Sequence, residues 1–396
     1  MTDSKKTKLD CCVDMPDKAK NVKAFLVMEI MEKAQEMERA GTNVVHLEVG
    51  EPDFDTPAAV VEAAKNALGG GKTHYTHSMG LMELREAIAA HYHKSYGVDI
   101  NPDCIIVTSG TSAAMSLVFS TQVRPGSEIL ITNPHYACYP NFIRFADGVP
   151  AMVPADERDG FQFRAEALKE RINERTRGVL INSPSNPAGT IINERGLSDI
   201  AELGIPVISD EIYHGLEYGG DKARSILEYT DNAFVINGFS KLYAMTGWRV
   251  GYVIGPKECV RVMQKLQQNF FISANSFVQW GAIAALEQTS DDVRLMVQTY
   301  DERRRFMLSE LKSMGFDIPV DPTGAFYIMV NMKHIDPDSY RLAFEILEKA
   351  RVAVTPGVDF GSGGEGFIRF CYANSIENIA EGMRRLRGFL GEKAGS

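Results

Sequence analysis

Short apolar runs recur through the middle of this chain at a spacing that fits a layered α/β fold. Ile105-Ile106-Val107, Ile129-Leu130-Ile131, Val179-Leu180-Ile181, Val207-Ile208 and Phe234-Val235-Ile236 are rich in β-branched residues and flanked by turn residues. Continuous apolar runs of this length suit strands buried on both faces, because a strand with one wet face would alternate. Ile181 to Ile208 is 27 positions and Ile208 to Ile236 is 28. A strand–helix–strand crossover takes roughly 30 residues. Stretches 58–68, 81–96 and 112–121 read as helices around these runs. The pattern predicts a mainly parallel sheet covered by helices on both sides, an α/β domain over residues 51–289.

The two ends of the chain read differently. Residues 22–40 form an amphipathic pattern closed by Gly41, and Val44, Val45, Leu47 and Val49 suggest a short strand ending at Gly50. Beyond the large domain, 291–316 is a long charged helix. Residues 317–396 then mix short strands (Phe326–Val330, Phe367–Tyr372) with helices at 338–350 and 375–390. This predicts a smaller α+β domain built from residues 1–50 and 290–396. There is no internal repeat and no low-complexity segment.

Composition narrows the function classes. The 396 residues are 44% hydrophobic and 24% charged, with a formal net charge of −10. An acidic balance argues against nucleic-acid or anionic-membrane partners. The first 20 residues are polar and lack the apolar core of a secretory signal. No uncharged apolar run approaches the ~18 residues of a membrane span. Cys11, Cys12, Cys104, Cys138, Cys259 and Cys371 show no C-x-x-C spacing, so neither a metal site nor a disulfide framework is expected. The adjacent Cys11-Cys12 pair reads as incidental. These features predict a soluble, cytoplasmic protein.

Three apparent motifs fail on context. Gly361-x-Gly363-x-x-Gly366 matches a dinucleotide fingerprint, but a strand pattern (Phe367-Ile368-Arg369-Phe370) follows it where a helix is needed. Gly71-Lys72-Thr73 resembles the end of a P-loop whose first glycine would fall at Asn66. His91 and His93 are two apart, which on a helix places them on different faces.

Four segments at the predicted strand ends carry more. Ligands of open α/β sheets bind outside the carboxyl ends of the strands, so these segments can converge. Ser109-Gly110-Thr111-Ser112 follows one strand and opens a helix, where small residues let backbone N–H groups approach an anion; an ordinary helix cap reads the same way. Asn182-Ser183-Pro184-Ser185-Asn186-Pro187-Ala188-Gly189-Thr190 is a stiff loop that aims Asn186. Asp210, in Ser209-Asp210-Glu211-Ile212-Tyr213, is costly to desolvate without a cationic partner. Lys241, in Asn237-Gly238-Phe239-Ser240-Lys241, has an apolar, aromatic setting that favours proton loss and suits Schiff-base chemistry.

Together these segments resemble the class I/II aminotransferases, fold-type-I enzymes that use pyridoxal 5′-phosphate (PLP). The similarity is greatest to the aspartate and broad-specificity branch. It covers about 22–390 with the motifs in family order, and Gly238-Phe239-Ser240-Lys241-x₇-Arg249-x-Gly251 is its most specific part. The resemblance implies a seven-stranded, mainly parallel sheet in the large domain. It implies that Lys241 bonds the cofactor covalently and moves the substrate proton. Asp210 would pair with the pyridine nitrogen. Asn186 and Tyr213 would bond the ring's phenolic oxygen, and Tyr136 would stack on the ring. Gly110, Thr111, Ser112, Ser240 and Arg249 would hold the phosphate. Gly238 departs from the family, many of whose members carry Ser there, so one phosphate donor is expected to be missing. Arg369, in Gly366-Phe367-Ile368-Arg369-Phe370, would grip the substrate α-carboxylate, aided by the Gly50 N–H. Tyr75 would cross to the neighbouring phosphate in a homodimer.

The expected reaction is amino transfer from aspartate or a broad-specificity donor to a 2-oxo acid, with 2-oxoglutarate as the family's usual acceptor. A carbon–sulfur β-lyase and a cyclopropane-forming synthase share the same hallmarks. A PLP-binding regulator is a third alternative, disfavoured because only about 20 residues precede the first helix and the charge is negative. No second arginine stands out for a distal carboxylate. Met263, Phe270, Phe271 and Phe277 read as packing residues first and substrate contacts second.

Overall fold

The computed structural model describes residues 16–220 and 222–394. The Cys11-Cys12 pair lies outside them. Twelve strands occur among the described residues: β1 (Val45–His46), β2 (Ile105–Thr108), β3 (Glu128–Asn133), β4 (Val149–Pro154), β5 (Thr176–Asn182), β6 (Val207–Asp210), β7 (Ala233–Gly238), β8 (Gly251–Ile254), β9 (Tyr327–Asn331), β10 (Val352–Ala353), β11 (Thr355–Pro356) and β12 (Phe367–Cys371).

Seven strands form the central sheet in the order β2-β8-β7-β6-β5-β3-β4. All are parallel except β8, which runs antiparallel to both its neighbours. Each of the five apolar runs is a strand of this sheet. Successive residues in them go to opposite faces, as the pleat requires. Ile106, Ile129, Ile131, Leu180, Ile208 and Ile236 pack with Leu117, Val118 and Met263 from the helices Thr111–Gln122 and Lys257–Phe270. Val107, Leu130, Val179, Ile181, Val207 and Val235 pack on the other face with Leu84, Ile88, Val278 and Ala282. Both faces are dry, which is why the runs do not alternate.

Two strands lack a sequence signal. β4 begins and ends beside proline and is partly exposed, as an edge strand tolerates. β8 is four residues long and sits immediately after the Gly247-Trp248-Arg249-Val250 segment. Its reversal matters for the site. Thr108 pairs with Gly251, which pairs with Gly238, while Asn182 pairs with Asp210. The carboxyl ends of β2, β5, β6 and β7 therefore lie along one edge of the sheet.

The chain ends meet in space. Val45 and His46 of β1 pair with Val352 and Ala353 of β10. The antiparallel sheet β11-β12-β9 lies next to them in sequence, and the helix Leu26–Arg39 buries Val27, Ile30 and Ala34. The charged helix runs from Ser290 to Ser313, ending earlier than its sequence pattern, just before Met314 and Gly315 at φ +92°. The stretch 338–350 begins as the helix Ser339–Glu345 and finishes as a π-type turn, Ile346–Ala350.

His46 ties the helix Leu26–Arg39 to this region. Its Nδ1 lies 2.7 Å from Glu48 and its Nε2 3.1 Å from Glu38. The hydrogen bond to Glu48 raises its pKa to about 9, against the opposing effect of burial. Folding thus tightens proton binding. The resulting stability is complete below the ordinary value of 6.5 and is lost as pH rises through about 9. His46→Ala should lower the melting temperature by roughly 1–3 °C at pH 6. The gap from the parent should close by pH 10 in calorimetry run at both pH values.

Candidate active site

The strand ends described above surround a cavity of about 200 Å³. Gly50, Thr111, Ser112, Tyr136, Asn182, Asn186, Asp210, Tyr213, Lys241 and Arg369 all line it. Nine of the predicted site residues are therefore brought together by elements far apart in sequence. Gly110, Ser240 and Arg249 do not line it; Gly110 and Ser240 are the chain neighbours of Thr111 and Lys241, and Arg249 reaches Gly110.

Asp210 ends β6 and is buried. Tyr139 donates to its Oδ2 at 2.7 Å, and the Ile212 N–H donates to Oδ1 at 3.3 Å. No basic side chain forms an ion pair with it among the described residues. Burial pushes its pKa up to about 6, and the Tyr139 hydroxyl opposes that rise. Such a carboxylate is suited to a cationic N–H partner.

Lys241 follows β7 at the cavity floor. Its Nζ donates to the Gly50 carbonyl at 2.6 Å and lies 6.0 Å from the Phe326 ring centre. Burial above all lowers its pKa to about 8; the Arg369 and Arg249 charges act in the same direction, and Cys371 and Glu51 oppose them. About a tenth of the amine is thus neutral and nucleophilic at pH 7, far more than for an ordinary lysine.

Arg369, on β12, is 2% exposed. Its Nη1 donates to Asn186 Oδ1 at 2.8 Å and its Nη2 to Thr355 Oγ1 at 3.1 Å, while Nε is buried with no hydrogen-bond partner. The guanidinium stacks on Tyr327 and Phe360, 4.4 and 4.9 Å from the ring centres. It has no carboxylate ion pair among the described residues. A buried guanidinium on a cavity wall, with one donor unsatisfied and no carboxylate partner, calls for an anion with planar, two-oxygen geometry.

The opposite end fits a phosphate. The helix Thr111–Gln122 starts after Gly110, and no side chain caps it. Its first N–H groups are thus available to an anion at the positive helix end. Gly110 has φ +80°, and a Cβ there would sit 2.5 Å from Arg249 Nη2. Only glycine lets that guanidinium reach the helix terminus. Arg249 itself adopts φ +53° and spends one hydrogen bond on the Thr246 carbonyl. The glycine at 238 has a packing reason: a Cβ there would lie 3.0 Å from the Gly251 Cα across the strand pair. A phosphate end, an acid and an amine thus fit PLP, with a carboxylate grip across the cavity.

Some placements differ from the sequence reading in detail. The Tyr213 hydroxyl is paired with that of Tyr327 at 2.7 Å, and burial raises its pKa well above the usual value. With its Oδ1 engaged by Arg369, Asn186 has only Nδ2 left to donate. Tyr75 is 85% exposed and lies outside its own chain's cavity. Met263 is fully buried in the core, Phe270 and Phe271 are exposed, and none of these or Phe277 lines the cavity. Sequence reasoning gave no role to Tyr139 or Tyr327. The first carried a signal, a second tyrosine three positions after Tyr136. The second did not, because a tyrosine in a strand is ordinary. No group of acids, histidines and cysteines among the described residues could hold a metal ion, and no described helix is long and apolar enough to cross a membrane.

Fold and cavity together define a fold-type-I PLP enzyme. The family model for aminotransferase class I and II matches residues 42–386, and the chain belongs to that family. It is 44% identical over 375 residues to a (5-formylfuran-3-yl)methyl phosphate transaminase of Methanocaldococcus jannaschii, covering 93% of this chain and 98% of that one. It is 38% identical over 380 residues to an aspartate aminotransferase of Pyrococcus horikoshii, covering 94% and 96%. A Methanococcus jannaschii crystal structure described as similar in its active site to kynurenine aminotransferases superposes with a TM-score of 0.88 at 43% identity, covering 95% and 100%. The protein is a PLP-dependent aminotransferase.

Tyr139 offers a direct test of the acid's environment. A hydrogen bond to a charged group is worth roughly 1.5–3 kcal/mol. Tyr139→Phe should therefore weaken PLP binding to the apoprotein about tenfold at pH 7, measured by absorbance titration. Losing the donor lets the Asp210 pKa rise further, so the deficit should be larger at pH 6 than at pH 8. An unchanged affinity at both values would mean the contact is structural only.

Proposed function

We propose that this aminotransferase alternates an amino acid and a 2-oxo acid in the single cavity described above. One observation carries the reading: the Lys241 amine, the Asp210 carboxylate and the Arg369 guanidinium face the same small space. Bound PLP supplies an electron sink for the bond to the substrate α-hydrogen. Lys241 is the side chain that would hold the cofactor covalently. Once free, its Nζ takes the substrate's α-proton and later returns a proton, a task suited to an amine whose pKa lies near 8. Asp210 would hold the ring nitrogen protonated, with Tyr139 keeping its carboxylate ionised. Asn186 Nδ2 and the Tyr213 hydroxyl would meet the ring's phenolic oxygen, and Tyr136 would cover the ring face. Gly110, Thr111, Ser112, Ser240 and Arg249 would bind the phosphate. The Arg369 guanidinium would hold the substrate α-carboxylate, with the Gly50 backbone N–H beside it. Gly50 has no alternative residue here, since a Cβ would lie 2.0 Å from the Tyr327 hydroxyl.

The working unit we propose is a cytoplasmic homodimer. Each protomer has a large domain (51–289) and a small one (1–50 with 290–396), with the cavity where the two meet. Support comes from Tyr75, a large side chain left 85% exposed on a loop. Phe270, Phe271 and Ile272 add exposed apolar surface suited to a second copy.

Lys241→Ala should abolish multiple-turnover amino transfer while the protein stays folded by circular dichroism. Arg369→Lys keeps the charge and loses the fork. It should lower kcat/KM for amino acids about 100-fold, a loss on the order of 2.7 kcal/mol. Tyr75 is tested by mixing subunits. Tyr75→Ala and Lys241→Ala proteins, each impaired, should regain activity on unfolding and refolding together. Only the mixed dimer has one site with both residues intact. Absence of recovery would assign Tyr75 to its own subunit or to no site.

A further inference from the structure

The wall of the cavity that remains after the reacting groups are placed is apolar. Phe25, Val27 and Met28 come from the start of the helix Leu26–Arg39 and the residue before it; Met115, Tyr136 and Phe142 face them. Phe25 and Tyr136 meet edge to face at 6.0 Å. Lys241 and Arg369 are the only basic residues lining the cavity among the described residues, and both have tasks at the substrate α-carbon and α-carboxylate. A carboxylate lies behind this wall. Asp359 accepts the Leu26 and Val27 N–H groups at 3.0 and 3.2 Å and so pins the helix start over the cavity.

We infer that this wall is the side-chain subsite, and that it selects donors with bulky apolar or aromatic side chains over dicarboxylic amino acids. The inference rests on the aminotransferase reading and deepens it. A distal carboxylate entering here would lose its water, find no cation and approach Asp359. An aromatic or branched side chain would instead leave water for an apolar, partly aromatic surface. Donor and acceptor use the same cavity in turn, so the preference extends to the oxo acid. Aspartate as donor and 2-oxoglutarate as acceptor, both suggested by family resemblance, carry the charge this wall disfavours.

The test separates binding from turnover. Holoenzyme is mixed with phenylalanine or aspartate alone, and the cofactor's visible absorbance is followed through the half-reaction. The second-order rate for phenylalanine should exceed that for aspartate at least tenfold. In parallel, the inert acids 3-phenylpropionate and succinate are titrated into the holoenzyme, and the first should bind at least tenfold tighter. Met28 is 42% exposed, so Met28→Arg should fold. It places a guanidinium at the rim and should shift the affinity ratio toward succinate by about tenfold. Equal or better use of aspartate and succinate by the parent overturns the inference, including the case where a cation of the second subunit serves the subsite, and leaves the aminotransferase reading standing. An unmoved ratio in Met28→Arg also overturns it. Absorbance unresponsive to every amino acid would instead sink the aminotransferase reading itself.

Discussion

Desolvated charge without an internal partner is the constraint around which the rest of this molecule is arranged. Asp210, Lys241 and Arg369 all face one small cavity, and none forms an ion pair among the described residues. Burying a charge costs several kcal/mol unless a partner compensates. Here the partial compensation is neutral: the Tyr139 hydroxyl for Asp210, the Gly50 carbonyl for Lys241, and Asn186 with Thr355 for Arg369. The remaining deficit is what a ligand bearing complementary charges would relieve. The folded chain is less stable than it could be, and cofactor and substrate binding gain what stability loses.

Holding such groups apart requires a stiff frame, and the central sheet supplies it. Its strands are sealed on both faces by separate apolar cores, so their carboxyl ends cannot shift independently. The antiparallel β8 brings Gly251 beside both Thr108 and Gly238. That places Arg249 against the helix that opens at Thr111. The glycines at 110 and 238 have the same origin. Gly110 admits a guanidinium closer than a side chain allows, and Gly238 lies against a neighbouring backbone where a Cβ would be tight.

Much of this was legible in the sequence. Five apolar runs gave five strands, because a strand buried on both faces has a pattern few other elements mimic. Nine of the residues singled out in the sequence share one cavity, most of them because they follow strand ends in distinctive segments, and Arg369 from within β12. What escaped detection has physical causes. β4 is an edge strand carrying two prolines, a turn-like composition, and β8 is a short run directly after a loop segment. The stretch 338–350 does not reveal its π-type finish, since that is a matter of backbone register. Tyr327 looks like any strand residue, and only the fold shows its hydroxyl against Tyr213 and its ring beneath Arg369. The side-chain wall was illegible for a different reason. It combines Phe25 and Met28 from one end of the chain with Met115 and Phe142 from the large sheet's helices, and no linear motif links them.

That last difference separates chemistry from specificity. The groups that act on the α-carbon stand on strand ends locked by two cores, so they vary little without damaging the fold. The residues that meet the substrate side chain belong to the start of the helix Leu26–Arg39, held by two hydrogen bonds to Asp359, and to short surface-facing segments such as Tyr139–Phe145. The more exposed of these residues, such as Met28, can change without disturbing the core. Relatives named for a furanyl phosphate and for aspartate match more than nine-tenths of this chain at 44% and 38% identity. Overall similarity is accordingly a good guide to the reaction and a poor one to the substrate. The substrate has to be argued from the charge and shape of the wall that each chain builds over the same reacting centre.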